Sequence, residues 1–158
     1  MNLRIEKLNL ENMGDLKKID DSFETNSALE LKTRDGEITY EIREIPLYKK
    51  TYGEIEEQEW RSFINSETGA AFLAYKEDQI AGRISLKKHW NNFAFIDIAV
   101  DRLFRWQGIG RQLLSTTFEW ARKQNFPGIM LETQDINVSA CKFYESCGCR
   151  IGGFDKFL

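Results

Sequence analysis

A glycine-bearing turn, set between a strand-like run and a helix-like run, constrains this chain more than any other feature. It reads Arg105-Trp106-Gln107-Gly108-Ile109-Gly110-Arg111. Residues 93–100 ahead of it are hydrophobic, and residues 109–124 behind it place Leu113, Leu114, Thr117, Trp120 and Ala121 at helical spacing. A turn of this kind can hold a phosphate without a dedicated side chain. Glycine lets the backbone approach closely, successive N–H groups point into the concavity, and the helix N-terminus adds partial positive charge. Arg105 and Arg111 flank the turn and suit the same anion.

The rest of the pattern builds a sheet around this turn. Residues 3–10 alternate loosely and predict a first strand, with Asn12 placed to cap a helix through Leu16 and Ile19. Residues 29–34 and 37–45 flank Asp35-Gly36 as a hairpin, with Pro46 as its end. Residues 55–64 predict a helix whose core face is Ile55, Trp60, Phe63 and Ile64. Residues 70–76, 80–88 and 93–100 predict three antiparallel strands with short connections. Beyond the helix after the turn, residues 129–132 predict a short buried strand. Asn137 opens another helix that ends at Gly148, and residues 150–154 begin a last strand. The expected fold is α+β: a mixed, mostly antiparallel central sheet with helices on both faces. The chain is read as one domain, with acceptor-side elements in residues 1–69 and a cofactor-binding core in residues 70–158.

Composition excludes several classes. At 42% hydrophobic and 30% charged residues, the chain reads as a soluble globular protein. A net charge of −3 implies no broad basic face, so no nucleic-acid partner is expected. The first ten residues do not form a signal peptide, and no apolar run approaches the ~20 residues that span a bilayer. No membrane partner is expected, and the default location is cytoplasmic. Cys141, Cys147 and Cys149 are an odd set of thiols, read as reduced packing residues. Zinc would want four ligands and the single histidine, His89, is distant in sequence, so no metal is expected.

Three kinds of glycine loop compete for the turn. A nucleotide-hydrolase loop needs Gly-Lys followed by Ser or Thr, but Gly110 is followed by Arg111-Gln112. A dinucleotide fingerprint needs a third glycine where Leu113 stands. The remaining reading is a coenzyme A pyrophosphate loop. Arg105-x-x-Gly108-x-Gly110, preceded by Ile98-Ala99-Val100, resembles the acyl-CoA signature of the GNAT acetyltransferases. A second signature of that superfamily follows at the expected separation: Asn137-x-x-Ala140-x-x-x-Tyr144, then Gly148. The resemblance runs over residues 70–154. Leu131-Glu132-Thr133-Gln134-Asp135, Ala140-Cys141-Lys142-Phe143-Tyr144, Cys147-Gly148, residues 88–91 and Trp120 are more narrowly similar to streptothricin acetyltransferases.

The resemblance implies acetyl-CoA as cosubstrate and no metal. It implies pyrophosphate on the amides of Gln107, Gly108, Ile109, Gly110 and Arg111, with Arg105 beside them. Pantetheine would lie along the backbone of Ile98, Ala99 and Val100, with a backbone N–H near Val100 polarising the thioester carbonyl. Tyr144 is implied as the partner of the CoA sulfur and general acid for the departing thiolate. Asn137 is implied as a helix cap and CoA contact. The acceptor would be a primary amine of a small cationic molecule, such as the β-lysine part of streptothricin. An alkylamine with a pKa near 10.4 is roughly 0.04% neutral at pH 7, a penalty of about 4.6 kcal/mol, so a base or amine anchor is needed. Asp97 is the first candidate and Glu132 the second. Glu56, Glu57, Trp90 and Asp135 are further substrate-side candidates. Glu54, Glu56, Glu57 and Glu59 also read as an ordinary solvated helix start. The same chemistry on a protein amine or polyamine, and a non-catalytic acyl-CoA-binding module, stay open as alternatives.

The sequence departs from the family pattern in four places. Trp106 stands where a glycine or another small residue is usual, and Cys149 where phenylalanine is usual. Asp97 is a single carboxylate where the related enzymes often show Glu-Asp. Only one strand fits after the last helix where the family has two, so the final strand is expected to be missing or supplied by another chain. The resemblance admits a homodimer.

Overall fold

The most thoroughly buried strand organises the sheet. β4 (Gly69–Lys76) is buried along nearly its whole length, so its apolar side chains need cover above and below. In the computed structural model, which describes residues 2–158, β4 pairs antiparallel with β1 (Leu3–Lys7) on one side and β5 (Gln79–Lys88) on the other. β5 pairs antiparallel with β6 (Ala94–Val100), and β6 meets β7 (Ile129–Met130) in parallel. The order β1-β4-β5-β6-β7 is the expected mixed, mostly antiparallel sheet. A separate two-stranded sheet joins β2 (Phe23–Arg34) to β3 (Glu37–Lys50).

The chain forms two compact units that interleave in sequence. The first runs up to Ser22 and resumes over Thr51–Leu131; the second joins Phe23–Lys50 to Glu132–Leu158.

In the first unit, strand parity sorts residues onto two helical layers. Ala71, Leu73 and Tyr75 of β4 share a core with Leu8, with Met13 and Leu16 of a 3-10 turn (Met13–Lys18), and with Trp60 and Phe63. Trp60 belongs to α1 (Glu57–Arg61). On the other face α2 (Ile109–Lys123) buries Ile109, Leu113, Leu114, Thr117 and Ala121 and packs on β4, β5 and β6. Gly82 makes this approach feasible. A Cβ there would sit 2.9 Å from the Ala99 carbonyl oxygen and 3.1 Å from Leu113 Cδ1. The strand therefore lacks a side chain where the start of the helix closes onto it.

The hairpin turns follow their sequence signals. Asp35 and Gly36 take φ of +52° and +79°, and Glu77 and Asp78 take +49° and +65°, as a two-residue turn between twisted antiparallel strands requires.

Several expected boundaries move. The hairpin does not end at Pro46: β3 runs on to Lys50, and β2 begins at Phe23 rather than Leu29. Proline is accommodated because the register shifts between Thr25, paired with Tyr48, and Ser27, paired with Glu44. Ile45, Pro46 and Leu47 fall in that bulge, where no ladder N–H is needed from proline. The first strand stops at Lys7, and Asn12 does not cap the turn after it. Its Oδ1 accepts the Asn9 N–H at 2.8 Å and its Nδ2 donates to the Lys7 carbonyl at 3.1 Å, which stabilises the bend instead. The helix expected over 55–64 shrinks to α1, though Trp60 and Phe63 are buried as expected.

In the second unit α3 (Val138–Ser146) lies beside β2 and β3: Tyr40 Oη donates to Glu145 Oε1 at 2.7 Å, and the Leu29 N–H donates to the Asp135 carbonyl at 2.9 Å. Gly148, at φ +92°, follows its end. The strand expected over 150–154 does not form; the chain there is irregular. It contains Gly152-Gly153, which weakens strand structure, and no pairing strand reaches it among the described residues.

Candidate active site

The glycine turn is assembled by backbone geometry and fastened by side chains. After β6, Asp101 Oδ1 accepts the Leu103 N–H at 2.9 Å and starts a short 3-10 turn, Arg102–Phe104. Gly108 then takes φ +82°, with open space where a Cβ would be. The restriction there is conformational rather than steric. Buried Ile109 anchors the first turn of α2, whose first intrahelical bond runs from the Gln112 N–H to the Gly108 carbonyl at 3.1 Å. The amides of Ile109 and Gly110 thus lie ahead of the helical ladder, at the positive end of a 15-residue helix. Arg111 is exposed on that first turn.

Arg105 and Gln107 hold the loop to the sheet. Arg105 Nε donates to the Val100 carbonyl at 3.1 Å. Gln107 Oε1 accepts from Lys76 Nζ at the end of β4, and its Nε2 donates to the Leu103 carbonyl at 3.4 Å. Trp106, between them, takes φ +64° and is 88% exposed. A left-handed backbone disfavours a bulky L-residue by roughly 1–2 kcal/mol. The preference for glycine or another small residue here therefore has a backbone cause, and Trp106 adopts the conformation regardless.

Beside this loop, β6 loses its outer neighbour. β7 pairs only through Ala94 with Ile129 and Phe95 with Met130, while β5 continues along β6 as far as Val100. Ile98, Ala99 and Val100 are half-buried, and past Phe95 their outer edge has no strand partner among the described residues. An extended, amide-bearing arm fits there as an added strand, except that the Val100 carbonyl already accepts from Arg105. The glycine turn and the open edge of β6 are therefore adjacent.

Asp97 lies on the face opposite α2, exposed, with Oδ2 2.9 Å from Arg83 Nη1. The sequence motifs point to neither Asp21 nor Tyr52, and not to Arg83. Its side chain is only 8% exposed; Nη2 lies 3.3 Å from Asp21 Oδ2, and its guanidinium stacks 4.8 Å over the Trp60 ring. Tyr52 lies in the same electrostatic neighbourhood: burial, then Asp21 and Asp97, push its phenol up, while Arg105 pulls it down. A lone arginine in the apolar run Ile80-Ala81-Gly82-Arg83-Ile84 was the available signal, because an arginine on a covered sheet face needs acids.

Other candidates are dispersed. Glu56 precedes α1, its carbonyl accepting the Trp60 N–H at 3.1 Å. Glu57 is ion-paired with Arg61 and Lys17, which hold its carboxyl below the usual range. Trp90 is 84% exposed in the turn between β5 and β6. In the second unit, Asn137 caps α3 as expected, its Oδ1 accepting the Ala140 N–H at 3.3 Å. Tyr144 is half-buried on α3, its ring 5.4 Å from that of Phe143. Glu132 and Asp135 are exposed. The three thiols are unpaired and half-buried, and burial pushes those of Cys141 and Cys149 up, away from the reactive thiolate. Among the described residues, no cluster of three or more His, Cys, Asp or Glu has metal-holding geometry, and no helix is long and apolar enough to cross a membrane.

Comparison with known proteins follows the same geometry. The family model described as Acetyltransferase (GNAT) family matches residues 37–149. Streptothricin acetyltransferase A of Bacillus subtilis (strain 168) is 47% identical over 98 residues, which cover 61% of this chain and 57% of that protein. Streptothricin acetyltransferase of Escherichia coli is 30% identical over 153 residues, covering 96% of this chain and 79% of that one. A candidate streptothricin acetyltransferase from Bacillus anthracis str. Ames, crystallised with acetyl coenzyme A, superposes with a TM-score of 0.90 at 43% identity, over 98% of this chain and 88% of its own. With the loop, the open strand edge and the family model in agreement, this chain belongs to the GNAT acetyltransferase family.

Proposed function

We propose that this protein transfers the acetyl group of acetyl-CoA to a primary amine of a small cationic molecule, with the β-lysine amine of streptothricin as the acceptor. The observation that carries this reading is the glycine turn at the head of α2 beside the unpaired edge of β6. Those two features fit the diphosphate and the amide-bearing arm of acetyl-CoA. The two curated relatives above, and the structure that holds acetyl coenzyme A, support the donor and the acceptor.

The chemistry assigned to this chain's residues is compact. The amides of Ile109 and Gly110, with those of Gln107, Gly108 and Arg111 around them, hold the diphosphate; Arg105 keeps the loop against Val100. A backbone N–H of β6 near Val100 polarises the thioester carbonyl, so the C–O dipole grows toward a fixed donor as the amine attacks. Asp97 holds the acceptor ammonium group and takes its proton. As the C–N bond forms and the C–S bond breaks, Tyr144 donates its phenolic proton to the departing sulfur and is reprotonated by the second proton that the nitrogen sheds as it becomes an amide; Asn137 fixes the helix that carries Tyr144.

Thiol release from acetyl-CoA, measured with streptothricin, polyamines and a lysine peptide in parallel, tests the reading. Streptothricin should be turned over with the highest kcat/KM. Preference for the peptide or a polyamine would move the acceptor to that class. Acetyl-CoA binding without turnover on any amine would reduce the protein to a binding module.

A further inference from the structure

Resting on the acetyltransferase reading, we propose that Asp21 is the second carboxylate of the acceptor site, that it receives the ammonium group together with Asp97, and that Arg83 is the positioning residue holding both. β6 itself carries a single carboxylate, Asp97. The fold brings a second from far away in sequence.

The arrangement is built rather than incidental. Nη1 of Arg83 bonds Asp97 Oδ2 at 2.9 Å and Nη2 bonds Asp21 Oδ2 at 3.3 Å. One guanidinium thus gathers acids from β6 and from the segment after the first 3-10 turn. That segment is fastened on both sides of Asp21. Asp101 Oδ2 accepts the Asp20 N–H at 2.8 Å, and the Arg102 N–H donates to the Asp20 carbonyl at 2.9 Å. The Ser22 N–H and Oγ donate to Asp20 Oδ1 at 3.0 and 2.6 Å. Asp101 itself is buried, and its N–H donates to the Ala81 carbonyl at 2.9 Å, on the bulge of β5. The Asp21 backbone is therefore tied to Asp101 and Arg102, just past the end of the strand whose middle residue is Asp97.

Charge and burial make the cluster a cation receiver. Two carboxylates around one guanidinium leave one negative charge over. The arginine is more than nine-tenths buried beneath the acids, and its Nε finds no partner among the described residues. Here its directed bonds go to the two acids, whose side chains are 24% and 61% exposed for Asp21 and Asp97. A permanent cation cannot release its proton, so Arg83 orients the acids without competing as an acid itself. Desolvation, opposed by Arg83, pushes the Asp21 carboxyl up; it therefore binds a proton more readily than a free aspartate. In the step, an N–H proton of the ammonium group passes to a carboxylate oxygen, and the freed lone pair attacks the thioester carbon. That proton is later released to solvent, which returns the pair to its charged state.

The test compares Asp21→Asn, Asp97→Asn, Arg83→Lys and Arg83→Gln, each checked for folding by circular dichroism. Streptothricin and acetyl-CoA binding are measured separately by calorimetry, alongside steady-state pH profiles. Loss of one charge-assisted contact should weaken streptothricin about tenfold or more in Asp21→Asn and again in Asp97→Asn. Acetyl-CoA affinity should stay within about twofold, because the diphosphate loop relies on backbone groups. The acidic limb of kcat/KM should move in Asp21→Asn, a change that a purely structural role would not produce. Arg83→Lys should recover part of the streptothricin affinity lost in Arg83→Gln. Wild-type streptothricin affinity together with a wild-type pH profile in Asp21→Asn would overturn the proposal. So would wild-type protein that binds acetyl-CoA but no streptothricin, although the acetyl-CoA reading would survive. Failure to bind acetyl-CoA would instead remove the reading on which the proposal rests.

Discussion

The loop over 105–111 and the cluster around Arg83, proposed above to receive the diphosphate and the acceptor ammonium group, are built in opposite ways. The loop uses consecutive backbone groups, a left-handed glycine and the start of one helix. The cluster draws Asp21, Tyr52, Trp60, Arg83 and Asp97 from separate stretches of chain and depends on what their side chains touch. A diphosphate has a fixed shape and charge, which short-range backbone geometry can match. A cationic acceptor varies, and side chains on separate elements can be changed one at a time. The contrast predicts that substitutions in the loop act through conformation, while substitutions in the cluster act through charge.

The largest expected effect belongs to a residue of neither device. Tyr144→Phe removes only the phenolic proton and should lower kcat by about 10²-fold or more, in the range of general acid catalysis, with acetyl-CoA affinity retained in a binding titration. Unchanged turnover would take Tyr144 out of the mechanism and leave the loop and cluster as the whole machinery. Next, Gly82→Val forces a side chain between β5 and α2, where the Ala99 carbonyl would be 2.9 Å from the new Cβ. A loss of about 1–3 kcal/mol in denaturant unfolding is expected, together with weaker acetyl-CoA binding because the head of α2 shifts. Loss of stability with acetyl-CoA affinity intact would separate loop geometry from helix docking.

A smaller effect addresses the charge side. Lysine at both Glu56 and Glu57 should raise the KM for a cationic acceptor by only a few fold, through long-range charge, because Lys17 and Arg61 already balance Glu57. A rise as large as that for Asp21→Asn would spread acceptor recognition beyond the cluster, and no change would confine it there. The smallest effect is at Trp106. Replacement by glycine relieves the left-handed strain of roughly 1–2 kcal/mol and adds chain entropy of roughly 0.5–1 kcal/mol to the unfolded state. A net gain of about 0.5–1 kcal/mol should appear as a higher Tm. A loss would mean that the exposed indole makes a stabilising contact that outweighs its backbone strain.

These two devices also mark how far the sequence was legible. The loop, α2, α3 with its Asn137 cap, and the three meandering strands could all be read, because each signal lies within one element and repeats at that element's period. Pro46 misled at the hairpin because a bulge, which depends on the partner strand, removes the need for its N–H. Residues 150–154 misled because strand propensity without a pairing edge does not make a strand.

From sequence alone came the family, the glycine turn and the two motifs that name Asn137, Ala140 and Tyr144. All of these are written in local spacing, where backbone conformation follows from the residues nearby. Only the tertiary structure showed that Asp97 faces away from α2, that Arg83 lies buried on Trp60, and that Asp21 lies at the same guanidinium. Asp21 and Asp97 are far apart in the chain. Their meeting is decided by which strand pairs with which, and by where a buried cation finds its counter-charges.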